Sequence, residues 1–235
     1  MKFSITILLT SCLVAFLCFV SCNREAANPV NRLFPVSAFN KIIAGDDHEI
    51  TVTTGTDFSV QAKGDASDLE DLRMTVSNGT LKIDYPHYDS YRKRVHITIT
   101  MPQIFGVEFS GSTYGTITTF QQNVNFSVYL SGNSNFTITN NAPLIYADIS
   151  GNAALSLNGN AAALVANVSG QSIYNAYGLT ATDNAVIKSG GNSKVYVNVS
   201  RAFTVEGSGQ SKIFYKGNPS TKNFTVNEMA ELVKQ

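Results

Sequence analysis

Cysteine is almost absent from this chain: its three copies, Cys12, Cys18 and Cys22, all fall within the first 22 of 235 residues. Beyond them no thiol remains for a disulfide or a thiolate metal site, so stability has to come from burial and hydrogen bonding. Histidine is equally thin. His48, His87 and His96 stand apart with none of the spacings that zinc sites use, and Asp46-Asp47 beside His48 reads as a turn. No metal and no cofactor are expected. Charge is scarce too, with 14% of residues charged and 17 of each sign. Such a balance gives no electrostatic reason to expect nucleic acid, and none is expected as a partner. Gly-x-Ser-x-Gly is missing, and no glycine corner is followed by Lys-Ser or Lys-Thr ahead of a helix, so neither a hydrolase elbow nor a phosphate loop is present.

Long apolar runs are limited to one, at the start. Met1-Lys2 precedes an apolar stretch from Phe3 to Val20 that ends in Val20-Ser21-Cys22. A basic start, an apolar middle and a small residue before the cut describe a secretory signal. A cysteine directly after that small residue resembles the lipobox of bacterial lipoproteins. The resemblance implies a signal peptide over 1–21, acyl chains on Cys22 and attachment to a membrane by lipid. A retained membrane anchor is the alternative, because the run lies near the lower limit of a spanning helix. Residues 22–36 are polar and broken by Pro29 and Pro35, and read as a tether. The expected location is the cell envelope, as an outer-membrane lipoprotein. A lone Glu25 after the anchor leaves the leaflet open.

What the chain has in abundance is a repeat. Between 107 and 217 one phrase recurs as Ser110-Gly111-Ser112-Thr113, Ser131-Gly132-Asn133-Ser134, Ser150-Gly151-Asn152-Ala153, Ser169-Gly170-Gln171-Ser172, Gly190-Gly191-Asn192-Ser193 and Ser208-Gly209-Gln210-Ser211. A period of about 20 residues marks stacked coils. Before each glycine the residues alternate: Val107/Phe109, Val128/Leu130, Ala147/Ile149 and Ala166/Val168 are apolar, whereas Glu108, Tyr129, Asp148, Asn167, Lys188 and Glu206 sit between the two positions. Alternation with period two is a strand with one buried face. After the corner a second strand leaves, with inward pairs such as Phe136/Ile138, Leu155/Leu157 and Val195/Val197. The fold expected is all-β: a parallel β-helix, or solenoid, with a β-sandwich as the minor alternative. Gly190 and Ser208 with the extra glycines Gly191 and Gly207 point to bulged corners in the last two copies.

The segment 37–105 is rich in strand signals but less regular, and is expected to cap the 106–219 coils. One short helix is expected over 67–72, with Ser67 and Glu70 as a capping box. Residues 220–235 are expected to close the other end, with Phe224-Thr225-Val226 as a last strand and a frayed helix after it. The opening Phe39-Asn40-Lys41-Ile42, then Leu69-x-x-Leu72, Asn78-Gly79-x-Leu81-x-Ile83, Ile97-x-Ile99-x-Met101-Pro102 and the Ser-Gly-x-Ser corners together resemble the head GIN domain of putative auto-transporter adhesins. The resemblance covers about 38–219. It implies a right-handed β-helical envelope protein with adhesion as its role, and it supplies no functional residues.

Two constellations remain. Glu108 and Asp148 share an outward column about 10 Å apart by strand spacing, beyond the separation inverting glycosidases use. They read as a solvated face, so no catalytic residue is assigned and no enzyme is expected. The loop 85–94 carries Tyr85, Tyr88, Tyr91, Arg92 and Arg94, flat aromatic faces with basic neighbours, and is the candidate binding site. The reading is a non-enzymatic, lipid-anchored binding or adhesion protein with a glycan or an envelope or host protein as partner. A structural protein that forms homo-oligomers is the alternative, and a polysaccharide-active β-helix enzyme comes last.

Overall fold

The computed structural model describes residues 24–87, 89–121, 123–180 and 182–235, so the leader, Cys22 and Tyr88 lie outside the described residues. The N-terminal part holds β1 (Val30–Leu33), β2 (Lys41–Ala44), β3 (His48–Thr54), β4 (Ser59–Gly64), α1 (Ala66–Asp71), β5 (Arg73–Ser77), β6 (Thr80–Asp84) and β7 (Val95–Met101). Next come β8 (Gly106–Phe109), β9 (Tyr114–Gln121), β10 (Phe126–Leu130), β11 (Asn135–Ile149), β12 (Ala154–Val168) and β13 (Ile173–Thr180). The chain ends in β14 (Asn184–Ser189), β15 (Lys194–Asn198), β16 (Ala202–Gly207), β17 (Lys212–Lys216), β18 (Thr221–Val226) and β19 (Glu231–Lys234).

These strands wind into a β-solenoid of about 7 turns with about 19 residues per turn and a single short helix. Each turn climbs a first sheet, rounds the glycine corner and returns along a second sheet. From β2 and β8 the first sheet runs through β10, the second half of β11, the second half of β12, β14, β16 and β18, all parallel. The second runs from β3 through β9, the first halves of β11 and β12, β13, β15, β17 and β19, again parallel. Consecutive parallel pairing excludes the sandwich. Alternation decides which side chains fill the space between the sheets: Val128, Leu130, Phe136, Ile138, Leu155, Leu157, Val195 and Val197 are buried, while Tyr129 between the first two is exposed. Phe109 and Phe136 stack at 4.2 Å inside it.

The corner explains the repeat. Gly170 has φ +74°, and a Cβ there would lie 2.3 Å from the Gly151 carbonyl oxygen of the coil before. The residue after each corner glycine donates its N–H to the glycine carbonyl one coil back, as Asn133 does to Gly111 at 2.7 Å and Gln171 to Gly151 at 2.7 Å. Two further residues complete this column at its ends without being glycine: Asp46 (φ 63°) before Gly111 and Glu228 (φ 61°) after Gly209. Ser112 donates to the Asp46 carbonyl at 2.7 Å, and the Glu228 carboxylate accepts from the Gly209 N–H at 2.6 Å. The small residue after the corner is buried, and its hydroxyl staples the turn: Ser134 Oγ donates to the Ser131 carbonyl at 2.7 Å.

Four expectations change. The helix is capped by Asp65, whose side chain accepts from the Ser67 N–H at 3.1 Å, so the cap lies two residues before Ser67. The C-terminal residues form β19, not a frayed helix, because Leu232 and Val233 continue the parallel ladder on Ile213 and Phe214. Corners at Gly190 and Gly207 keep register without a bulge; the shifts fall instead between Ile138 and Asn140 and between Ser156 and Asn158. Finally, the first coil in sequence is not the first in the stack. β2 lies between β6 and β8, and β3 between β7 and β9, so chain that comes later covers β2 and β3. Antiparallel pairs β5 with β6, β4 with β7 and β1 with β4 extend the two sheets beyond that turn.

Candidate functional site

The loop 85–94 is the corner of the outermost turn, between β6 and β7, where the middle turns have a glycine and the turns at either end of that column have Asp46 and Glu228. Its residues do not act alike. The Tyr85 ring is covered by the Arg92 guanidinium, 3.8 Å from its centroid, and burial pushes the Tyr85 hydroxyl far above its ordinary range. Arg92 is itself only 14% exposed, bonded to Asp71, 3.8 Å from Asp68, and donating to the His87 carbonyl at 2.6 Å. Arg94 holds Asp47 at 3.0 Å and Glu25 at 3.3 Å while lying over the Tyr114 ring. His87, bonded to Asp71 at 2.9 Å, and Arg92 together keep the Asp71 carboxyl below its usual range. Tyr91 differs from all of these. It is 87% exposed, and it lines an open groove of about 680 Å³ with Arg24, Asp47, Lys93 and Ser112.

The neighbouring trio Asp46, Asp47 and His48 diverges rather than converging. Asp46 takes the corner, Asp47 binds Arg24 at 2.7 Å, and His48 turns inward to 1% exposure. Burial lowers the His48 pKa from 6.5 to about 4, and neither ring nitrogen has a hydrogen-bond partner among the described residues. Among the described residues no group of three or more His, Cys, Asp or Glu could hold a metal ion, and no helix is long and apolar enough to cross a membrane.

A second site builds itself on the outer face of the first sheet. Register places Glu108, Tyr129, Asp148, Asn167, Lys188 and Glu206 in one column, one residue per turn. Tyr129 is 44% exposed and stands between the two carboxylates. Beside it Tyr146 approaches at 5.6 Å, tilted by 47°, donating to Asp148 Oδ2 at 3.3 Å and accepting from Asn167 Nδ2 at 2.9 Å. Burial and the Asp148 carboxylate raise the Tyr146 pKa, so its proton stays in place. Along the same face, an open groove of about 560 Å³ continues past Asn167, Lys188, Glu206, Thr225 and Asn227, with Lys188 and Glu206 paired at 2.9 Å. An accessible ring rimmed by carboxylates, amides and a phenol matches the two sides of a sugar, its C–H face and its hydroxyls.

The sequence reading placed the column correctly but missed Tyr146. Outward alternation carries that signal: Tyr146 lies two residues before Asp148 on the same strand face. It also missed the ladder of Tyr177, Tyr196 and Phe214 on the second sheet, implied by the inward pairs Val195/Val197 and Ile213/Tyr215. There Tyr196 and Phe214 stack at 5.0 Å and 11°, with Lys216 over Tyr177 at 4.3 Å. Tyr177 meets Tyr196 edge-on at 5.5 Å and 77°, so these contacts tie neighbouring turns of the stack together.

Residues 38–219 match the family described as putative auto-transporter adhesin, head GIN domain. The chain belongs to this family. Its head GIN domain shares the fold of a putative adhesin from Bacteroides fragilis NCTC 9343, at 22% identity and TM-score 0.79 over 90% of this chain and 99% of that one. A putative adhesin from Parabacteroides distasonis ATCC 8503 follows at 15% identity and TM-score 0.66 over 88% and 97%. A putative lipid binding protein from the same organism has 14% identity and TM-score 0.64 over 90% and 98%. No curated protein matches the chain.

Proposed function

We propose that this head GIN domain is a lipid-anchored, non-enzymatic adhesion module of the cell envelope that recognises a glycan on the outer face of its first sheet. Family membership supports a binding role at the envelope, and the Val20-Ser21-Cys22 ending of the leader supports acylation of Cys22. The observation that carries the site is Tyr129, held accessible on a rigid sheet between Glu108 and Asp148 with Tyr146 and Asn167 fixed beside it. Sites on regular elements are preorganised, so little side-chain entropy is lost on binding. Glu108 and Asp148 act here as acceptors for sugar hydroxyls. Tyr129 standing between them argues against a shared scissile bond, which supports a binding role over a hydrolytic one.

The test is a glycan array probed with the soluble 22–235 chain, followed by titration of each hit. Retained binding after Tyr129→Ala would remove the site, and turnover of a bound glycan would remove the non-enzymatic reading. A second reading, self-association, has its own motivation: among the described residues β18 keeps register only with β16 and β19 only with β17, and Val226 and Met229 lie exposed beside their outer edges. Edge strands of this kind template pairing with another copy. Sedimentation showing only monomer at high concentration would dispose of it.

A further inference from the structure

The first described residues are not loose. The Arg24 guanidinium binds Asp47 at 2.7 Å, and the Arg24 carbonyl accepts the Arg94 N–H at 2.6 Å. Glu25 follows, binding Arg94 at 3.3 Å and His96 Nε2 at 2.7 Å, with its carboxyl held below the ordinary range by His96 and Arg94. Four contacts therefore fasten the chain to the corner of the outermost turns, two residues after Cys22. Two residues span at most about 7 Å. Any lipid on Cys22 is tied within that reach of the Arg24 backbone, which is itself bonded to Arg94.

We infer that this corner, with residues 89–94 of the following loop, is the face the protein presents to the phospholipid headgroups of the membrane that holds it. The inference rests on the lipidation of Cys22 proposed above. Tyr91 is the exposed aromatic of this surface, and it lines the same groove as Arg24 with Lys93 beside it. An exposed tyrosine suits the interface, where the ring reaches the acyl boundary and the hydroxyl stays among headgroups. Charge does not set the orientation, because Arg24, Arg92 and Arg94 are already matched by Asp47, Asp68, Asp71 and Glu25. The covalent tie and its fastening do.

The alternative posture would lay the solenoid along its corner ridge. Between its end turns that ridge presents Asn133, Asn152, Gln171, Asn192 and Gln210, all exposed amides, and its one exposed apolar side chain among the described residues is Met229 at the far end. A row of hydrated amides has nothing to gain from acyl chains. The stack therefore rises from the membrane on its outermost turn, and the glycan strip around Tyr129 begins two turns further out. Met229, in the last turn of the same column, lies about 34 Å from the Asp46 corner at the parallel strand spacing.

The chain contains no tryptophan, so single-tryptophan reporters are unambiguous. Lipidated full-length protein is extracted, reconstituted in phosphatidylcholine vesicles with headgroup nitroxide quencher, and compared as Tyr91→Trp and Met229→Trp, both at exposed positions. The expected result is loss of most Tyr91→Trp fluorescence with Met229→Trp unchanged. Equal quenching of both overturns the inference in favour of the lying posture. Quenching of neither overturns it by showing the segment unfastened. Mass spectrometry of the same extract separates the two claims: absence of acyl mass sinks the lipidation reading. In that case the sole thiol from residue 22 onward, Cys22, is coupled to a maleimide lipid, and the quenching pattern still decides the geometry.

Discussion

Gly170 and Gly190 sit in adjacent corners, yet only one of them has to be glycine. Gly170 combines a left-handed φ of +74° with 2.3 Å from its virtual Cβ to the Gly151 oxygen; Gly190 has an ordinary φ and meets only Ser208 Oγ at 3.3 Å. Left-handed backbone alone costs an alanine about 1–2 kcal/mol. Gly170→Ala should therefore lower stability by roughly 2 kcal/mol or more, while Gly190→Ala should stay within about 0.5 kcal/mol. Urea denaturation of the two variants checks the contrast. This part of the protein was open to sequence reading because the constraint is local: a corner that stacks on its predecessor admits no Cβ, and the glycine repeats. Asp46 and Glu228 escaped for the same reason, since a search keyed to glycine passes over corners at the ends of the column.

His48 gives the residue scale its pH dependence. It occupies the position that Thr113, Ser134 and Ala153 fill in later turns, facing the Tyr85 ring inside, with Asp47 and Arg92 as the nearby charges. Its pKa is lowered in the folded protein, so the unfolded chain binds the proton first as pH falls. Stability is then full above about 6.5 and declines until about 4, by about 3 kcal/mol in all. Glu25, Asp71 and Asp84 have lowered carboxyl pKa values, and their contributions disappear only at lower pH still. His48→Leu should flatten the pH 6.5 to 4 limb of a denaturation series; an unchanged limb contradicts the assignment.

At the scale of elements, alternation every second residue told inside from outside for both sheets, because each strand has one buried and one open face. The order of the N-terminal turns was not legible. That β6 and β7 stack outside β2 and β3 depends on pairing across some 40 residues, for which no local signal exists. The loop 85–94 was ambiguous from sequence for a different reason: arginines beside tyrosines serve a ligand or an internal network equally well, and only Asp68, Asp71 and Asp47 in place decide. The helix offers a small test. Asp65 caps α1, and Asp65→Ala should cost about 1 kcal/mol, whereas Ser67→Ala should cost much less because Ser67 is not the cap. Thermal melts of both variants read the difference. Equal losses would restore Ser67 to the role its sequence pattern suggested.

As a whole molecule, the solenoid is a rod with one end closed by antiparallel strands and fastened to the segment Arg24-Glu25, and with a polar aromatic strip along one sheet. Repeats of this kind distribute stability over neighbouring turns, so a surface residue on a middle turn can be changed without threatening the fold. Tyr129 lies on such a turn. Tyr91 lies at the end that carries Arg24 and Glu25. If the account is right, the two exposed tyrosines have separate duties, one toward the ligand and one toward the membrane. The most direct measurement is the affinity of the best array glycan for the unmodified chain, Tyr129→Ala and Tyr91→Ala, with melting temperatures taken alongside. Loss of an aromatic anchor costs about 1–3 kcal/mol, so Tyr129→Ala should weaken binding about 10- to 100-fold with no change in melting, and Tyr91→Ala should bind as the parent does. Weakened binding by Tyr91→Ala with Tyr129→Ala unaffected would contradict the account and return the ligand to the loop.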